Sequence, residues 1–225
     1  MKMFVSNAVH ELGVRNPFVG IIENIRVPQE TPPEIVHNAN RVLNNIEADM
    51  DGYLNDPTIY GYRELFSNLG YENLVPAGER LVRNFKEKGF KSYGPLIDAY
   101  NVVALKYAAG IGMHDADEIR GDIHIDVASG EETIMPLFKD KPKRLRAGDL
   151  CYTDDQRVIA WLGKRDVDSD WFKLSEYTKE ILIVILGNAY TSEDFNRTVA
   201  HEIVAEMRQF SPNAKLQELR RGPTE

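Results

Sequence analysis

The sequence predicts an α+β fold, and three observations carry that prediction. Apolar residues recur at helical spacing through most of residues 33–107. From residue 121 the pattern changes to short alternating runs separated by turn residues. Residues 191–210 then return to helical spacing. The chain has 225 residues, 43% of them hydrophobic, which is enough for one sizeable core.

Taken in order, "NPFVGIIENIRV" has the β-branched and aromatic content of a buried strand. "PPEIVHNANRVLNNIEADMDG" opens on prolines and spaces Ile35, Val42, Leu43 and Ile46 as one helical face, with Gly52 as its expected stop. "DPTIYGYRELFSNLGY" starts on Asp-Pro and groups Tyr62, Leu65, Phe66 and Leu69. "PAGERLVRNFKEKG" reads as a basic helix ending at Gly89. "GPLIDAYNVVALKYAAG" is the most core-like helix, through Leu96, Ile97, Tyr100, Val103 and Ala104. In "DIHIDVA", Ile123, Ile125 and Val127 alternate with Asp122, His124 and Asp126. "ETIMPLF", "GDLCYTDD" and "RVIAWLG" are further short strands, and "KEILIVILG", apolar on both faces, suits a central one. "TSEDFNRTVAHEIVAEMRQF" closes the fold as a helix capped by Thr191 or Ser192. The tail after Ser211 is charged and expected to be peripheral. One domain spans 1–225: a lead-in of strand and helices over 1–75, a core over 76–188, and a C-terminal helix and tail over 191–225.

The apolar run from Ile181 to Leu186 is too short to span a bilayer, the N-terminus lacks a signal-peptide pattern, and Cys151 is alone. A cytoplasmic protein without membrane partners is the simplest account. The net charge of −8 argues against an extended nucleic-acid surface such as a DNA-binding protein needs. Residues 139–146, "KDKPKRLR", run the other way with five basic residues against one acidic, a local +4. They read either as a solvated, proline-interrupted loop or as a contact for an anionic ligand.

No Walker loop, GxGxxG, HExxH, GxSxG or CxxC occurs, so no cofactor is expected. His114, Asp115 and Asp117 lack the glycine and glutamate of a calcium loop, and no metal is expected. Cys151 has no histidine near it and reads as a buried structural thiol. His114 stands apart from the other histidines because a glycine-preceded turn between a core helix and a strand presents it. It reads either as a site residue or as a structural or surface histidine. "WLGKRDVDSDWF", residues 161–172, is either a surface hairpin or the rim of a pocket.

The stretch "GPLIDAYNVVALKYAAGIGMHDADEIRGDI" resembles the tRNA-editing domain of the β subunit of bacterial phenylalanyl-tRNA synthetase. The matching positions are Pro95, Asp98, Asn101, Gly112, Met113, His114, Asp117 and Gly121, and the later strand segments follow in the same order, covering roughly residues 76–188. The residues upstream look like the helical lead-in of free-standing members. The resemblance implies a mixed sheet, partly barrel-like, flanked by helices. It implies a stand-alone protein that hydrolyses the ester of a mischarged tRNA in trans, or a non-catalytic module of the same fold that binds tRNA or an amino-acid derivative. The partners so implied are tRNA and an amino-acid moiety.

His114 matches the family's active-site histidine. With a pKa expected near working pH, it would orient or deprotonate a water. The family's acidic residue falls within "LGKRDVDSD", where this chain has Lys164 and Arg165 in place of Gly and Glu; Asp166 or Asp168 takes that role. Candidate substrate contacts are Asn101, Met113, Asp122, Trp161 and Ser169. Candidate RNA contacts are Lys139, Lys141, Lys143, Arg144 and Arg146.

Overall fold

The computed structural model describes residues 1–223. The chain opens with strand β1 (Lys2–Val5), a short helix α1 (Asn7–Glu11) and strand β2 (Phe18–Glu23). Helices α2 (Pro33–Ala48), α3 (Met50–Leu54), α4 (Pro57–Asn68), α5 (Ala77–Lys88) and α6 (Pro95–Tyr107) follow. Next come strands β3 (Ile111–Asp115), β4 (Ile123–Val127), β5 (Thr133–Ile134) and β6 (Lys143–Arg144). Strands β7 (Leu150–Thr153), β8 (Val158–Leu162), β9 (Val167–Asp168) and β10 (Ile181–Ile185) complete the strand-rich part. Helix α7 (Glu193–Met207) and strands β11 (Lys215–Glu218) and β12 (Arg220–Arg221) end the fold. The class is α+β, as the switch of periodicity predicts.

Two larger sheets form the core. One is mixed, in the order β12-β1-β4-β7-β8-β9, parallel across its first three strands and antiparallel beyond. The other is antiparallel, in the order β11-β2-β10-β3. Both are open sheets rather than a closed barrel. All five residues of β10 are fully buried, as the two-sided apolar run requires. Each such aliphatic side chain contributes about 1.5–3 kcal/mol of burial free energy.

Helix α6 packs against both α2 and α7. Pro95 lies in its first turn, where a missing N–H costs nothing. Asp98 is completely buried there and accepts hydrogen bonds from Thr31 Oγ1 at 2.6 Å, Ser92 Oγ at 2.5 Å and the Tyr93 N–H at 2.8 Å. That network fixes the segment before the helix, including Tyr93. Leu96, Val103 and Ala104 are buried as expected, whereas Ile97 and Tyr100 are half-buried because they face cavities. Ser192 caps α7 by accepting from the Phe195 N–H. Gly89, at φ +73, ends α5.

Four expectations need correction. Gly52 does not end α2; the helix stops at Ala48, and Asp49 accepts from the Gly52 N–H at 3.0 Å to start α3. The tail is not peripheral: β11 extends the β2 edge and β12 pairs with β1. The basic segment is not wholly loop, since β6 pairs with β5 while Leu145 anchors it in a small second core. His114 sits in β3, not in a turn. No helix among the described residues is long and apolar enough to cross a membrane.

Candidate active site

Strand β3 is an edge strand, and its alternation puts Gly112 and His114 on one side. His114 pairs in register with Leu182 of β10 and is 1% exposed. Tyr152, from β7 of the other sheet, meets this side, and its Oη lies 2.5 Å from His114 Nε2. Gly112 is what admits the phenol. A Cβ there would stand 2.0 Å from Tyr152 Oη, nearer than any real contact. Burial pushes the His114 imidazole down to about 3, so it is neutral throughout the physiological range. The expected pKa near working pH is therefore overturned. Such a weakly basic ring is poorly matched to proton abstraction from water.

The acidic side chains come from the hairpin β8–β9. Ala160 pairs with Asp168 and Trp161 with Val167, so the pleat sends Asp168 and Trp161 to opposite faces. Trp161 and Val167 pack against the small second core of Ile134, Leu145 and Cys151. The Trp161 indole N–H donates to Asp149 Oδ2 at 2.8 Å. Cys151 is buried there, its thiol pushed up to about 12 by burial. Asp168, on the other face, borders the same cavity as His114. It keeps an accessible surface toward that cavity, while the protein packed around the recess displaces enough water to push its carboxyl up to about 6. Asp166 is likewise raised to about 6, by burial first and by Asp168, against the opposing pull of Arg80. Arg80 Nη2 approaches Asp166 Oδ2 at 3.5 Å, and Asp166 Oδ1 is buried without a partner.

The cavity has a volume of about 360 Å³ and is lined mainly by apolar side chains. Ile97, Met113, Leu137 and Phe172 form walls around His114 and Asp168. Tyr93 and Phe138, 59% and 79% exposed, stand at its margins. Phe138 holds a left-handed backbone, φ +58, and its N–H donates to Asp170 Oδ1 at 3.0 Å. A bulky residue in that region is held there by its surroundings. Lys139 follows at once, so the basic stretch leaves from the cavity rim.

Of the candidate residues, His114, Asp168, Met113 and Ser169 meet at this cavity. Ser169 is fully buried, with its Oγ at the start of the Asp170–Phe172 turn. Asn101 is buried in α6 with Oδ1 unpartnered, and does not line the cavity. Asp122 lies elsewhere, accepting from the Lys2 N–H at 2.7 Å. Lys139, Lys141, Lys143, Arg144 and Arg146 are all exposed. Arg146 stacks over Tyr71 at 5.2 Å, and Arg144 Nε donates to the Gly130 carbonyl. Among the described residues no group of three His, Cys, Asp or Glu is arranged to hold a metal ion. Tyr152, Tyr93 and Phe138 were not singled out by the sequence; an aromatic flanking a lysine-rich run was the available signal for Phe138.

The family model described as "B3/4 domain" matches residues 68–208. The chain is similar to phenylalanine–tRNA ligase β subunits. It is 34% identical to that of Mycoplasmoides gallisepticum over 73 residues, 32% of this chain and 9% of the relative. It is 23% identical to that of Staphylococcus saprophyticus over 154 residues, 68% of this chain and 18% of the relative. The chain thus spans less than a fifth of the length of these curated relatives. The fold is similar to a crystal structure of an N-terminal fragment of the phenylalanyl-tRNA synthetase β subunit from Pyrococcus horikoshii. That match has a TM-score of 0.56 and 11% identity, covering 98% of this chain and 51% of that one. With the family model covering well over half of its residues, this chain belongs to the B3/4 domain family.

Proposed function

We propose that this protein hydrolyses the ester of a mischarged aminoacyl-tRNA in trans. The observation that carries the reading is the cavity itself. It joins a neutral histidine and a carboxylate raised toward neutrality inside apolar walls, and a basic strand-and-loop segment departs from its rim. Its volume of about 360 Å³ suits an amino-acid side chain and its ester. Binding energy alone discriminates weakly between side chains that differ by one hydroxyl, and a second, hydrolytic site answers that need.

In this reading a water adds to the ester carbonyl carbon, the bond from that carbon to the ribose oxygen breaks, and the ribose oxygen leaves with a proton. Asp168, ionised above about pH 6, positions the water and takes its proton. His114, neutral, contributes a hydrogen bond rather than proton abstraction. The exposed lysines meet RNA phosphate. A panel of mischarged tRNAs, scored for deacylation against buffer alone, tests this; no acceleration for any member rejects it.

One observation favours a second reading, a module that binds an aminoacyl group without turning it over: burial has removed the basicity of the one histidine in the cavity. Under that reading the panel shows saturable binding with no release of amino acid.

A further inference from the structure

The hydrogen bond between β3 and β7 fixes more than a distance. Tyr152 is 2% exposed and its phenol must place its hydrogen on an acceptor. Among the described residues, His114 Nε2 at 2.5 Å is the hydrogen-bond partner that Tyr152 Oη has. If Nε2 carried the imidazole proton and donated, the phenol hydrogen would be buried without an acceptor, at a cost of about 1–3 kcal/mol. If the phenol donates, its hydrogen and Nε2 are both satisfied, and the donor left over is the imidazole N–H on Nδ1, which a cavity ligand or water can accept. The neutral ring then carries its proton on Nδ1. That nitrogen makes no hydrogen bond to the described residues and is not among the buried unpartnered atoms, so it is left for the cavity.

We infer that Tyr152 locks His114 in the Nδ1–H tautomer, so that the cavity faces its ligand with a hydrogen-bond donor from His114 and a carboxylate from Asp168. This deepens the proposed function and rests on it for the identity of the ligand, but the tautomer itself does not. A donor opposite a carboxylate matches one end of an amino-acid ester or amide. The acyl oxygen accepts from Nδ1–H, and the free α-ammonium pairs with one Asp168 oxygen, which leaves the other for the water. A ligand whose amine is acylated loses the second contact and leaves a desolvated carboxylate facing it. Gly112 is part of the device, because only a residue without Cβ lets Tyr152 Oη reach the ring. Tyr152 is a positioning residue: it acts through His114.

The test is nitrogen NMR of the imidazoles in the full-length protein. The expected wild-type pattern for His114 is a protonated Nδ1 and an unprotonated, hydrogen-bonded Nε2. In Tyr152→Phe the pattern should move toward the opposite tautomer or a mixture. A protonated Nε2 in the wild type, or an unchanged pattern in Tyr152→Phe, overturns the lock. Amino-acid amides are then titrated beside their N-acetylated counterparts. Shifts of the Nδ1 resonance with the free amides, and at least tenfold weaker effects with the acetylated ones, are expected. Equal response to both overturns the assignment of the ligand. If no mischarged tRNA is deacylated while the tautomer and amide results hold, the hydrolytic reading fails and the binding chemistry stands.

Discussion

Replacing Asp168 with asparagine separates what the site costs from what it does. The Asp168 carboxyl is raised from an ordinary 3.8 to about 6 by burial. The folded state therefore holds the proton more tightly than the unfolded chain does. This contribution to stability is full below about pH 3.8 and is lost as the pH rises through about 6. Taken at face value, that difference corresponds to about 3 kcal/mol. Asp168 keeps more than a third of its surface accessible, and solvent screening reduces the figure to about 1 kcal/mol. Asp168→Asn removes the charge at nearly constant volume. The variant should therefore be more stable than wild type by about 1 kcal/mol at pH 8, a rise of about 2–4 °C in Tm, and equal to it near pH 4. Single-turnover deacylation should fall by about 10²–10⁴-fold. Thermal melts across that pH range, with kinetics at one pH, measure both. A variant less stable at pH 8 than at pH 4 relative to wild type would refute the account of Asp168 as a desolvated carboxylate.

Three further outcomes follow from the same geometry. Phe138→Ala should weaken tRNA binding by the worth of one stacked base, about 1–3 kcal/mol, with thermal stability unchanged; equal affinity in a filter or fluorescence titration removes Phe138 from the RNA contact. Lys139, Lys141 and Lys143 form no ion pair among the described residues, so changing all three to alanine should lower the slope of log affinity against log salt by about 2–3. An unaltered slope leaves the segment as solvated ribbon. Gly112→Ala places its Cβ 2.0 Å from Tyr152 Oη and should cost about 1–3 kcal/mol in a denaturant titration. Part of that loss should be recovered in Gly112→Ala/Tyr152→Phe, which removes the hydroxyl but leaves His114 Nε2 at 2.9 Å and the ring carbon at 3.1 Å from the added Cβ; a purely additive double variant would contradict the contact.

The parts of the fold visible in sequence were those governed by local periodicity. The run Ile181–Ile185 announced a strand buried on both faces, and the alternation of Ile123 and Ile125 with His124 and Asp126 announced a half-buried one. Ser192 announced a helix start through its side chain. Strands of two to four residues, such as β11 and β12, carry too little pattern to be read, which is why the tail passed for peripheral. His114 was legible as a candidate from its place in a motif. Its strand setting and its depressed pKa were not, because the first comes from pairing with Leu182, far along the chain, and the second from burial in the folded protein. Asp166 and Asp168 stand two apart, so alternation does not separate them; Asp168 borders the cavity while Asp166 lies beside Arg80 of α5, a contact set by packing between distant elements. Trp161 missed the cavity because pleating turns it to the opposite side from Asp168.

The central claim is that the cavity holding His114 and Asp168 is a hydrolytic site for an aminoacyl ester. Its most direct test is single-turnover deacylation of mischarged tRNAs by the wild-type protein beside His114→Ala. The account predicts release of the amino acid well above the buffer rate for at least one tRNA, and a loss of at least about tenfold in the variant, with the fold retained by circular dichroism. Undiminished activity in a folded His114→Ala would contradict it.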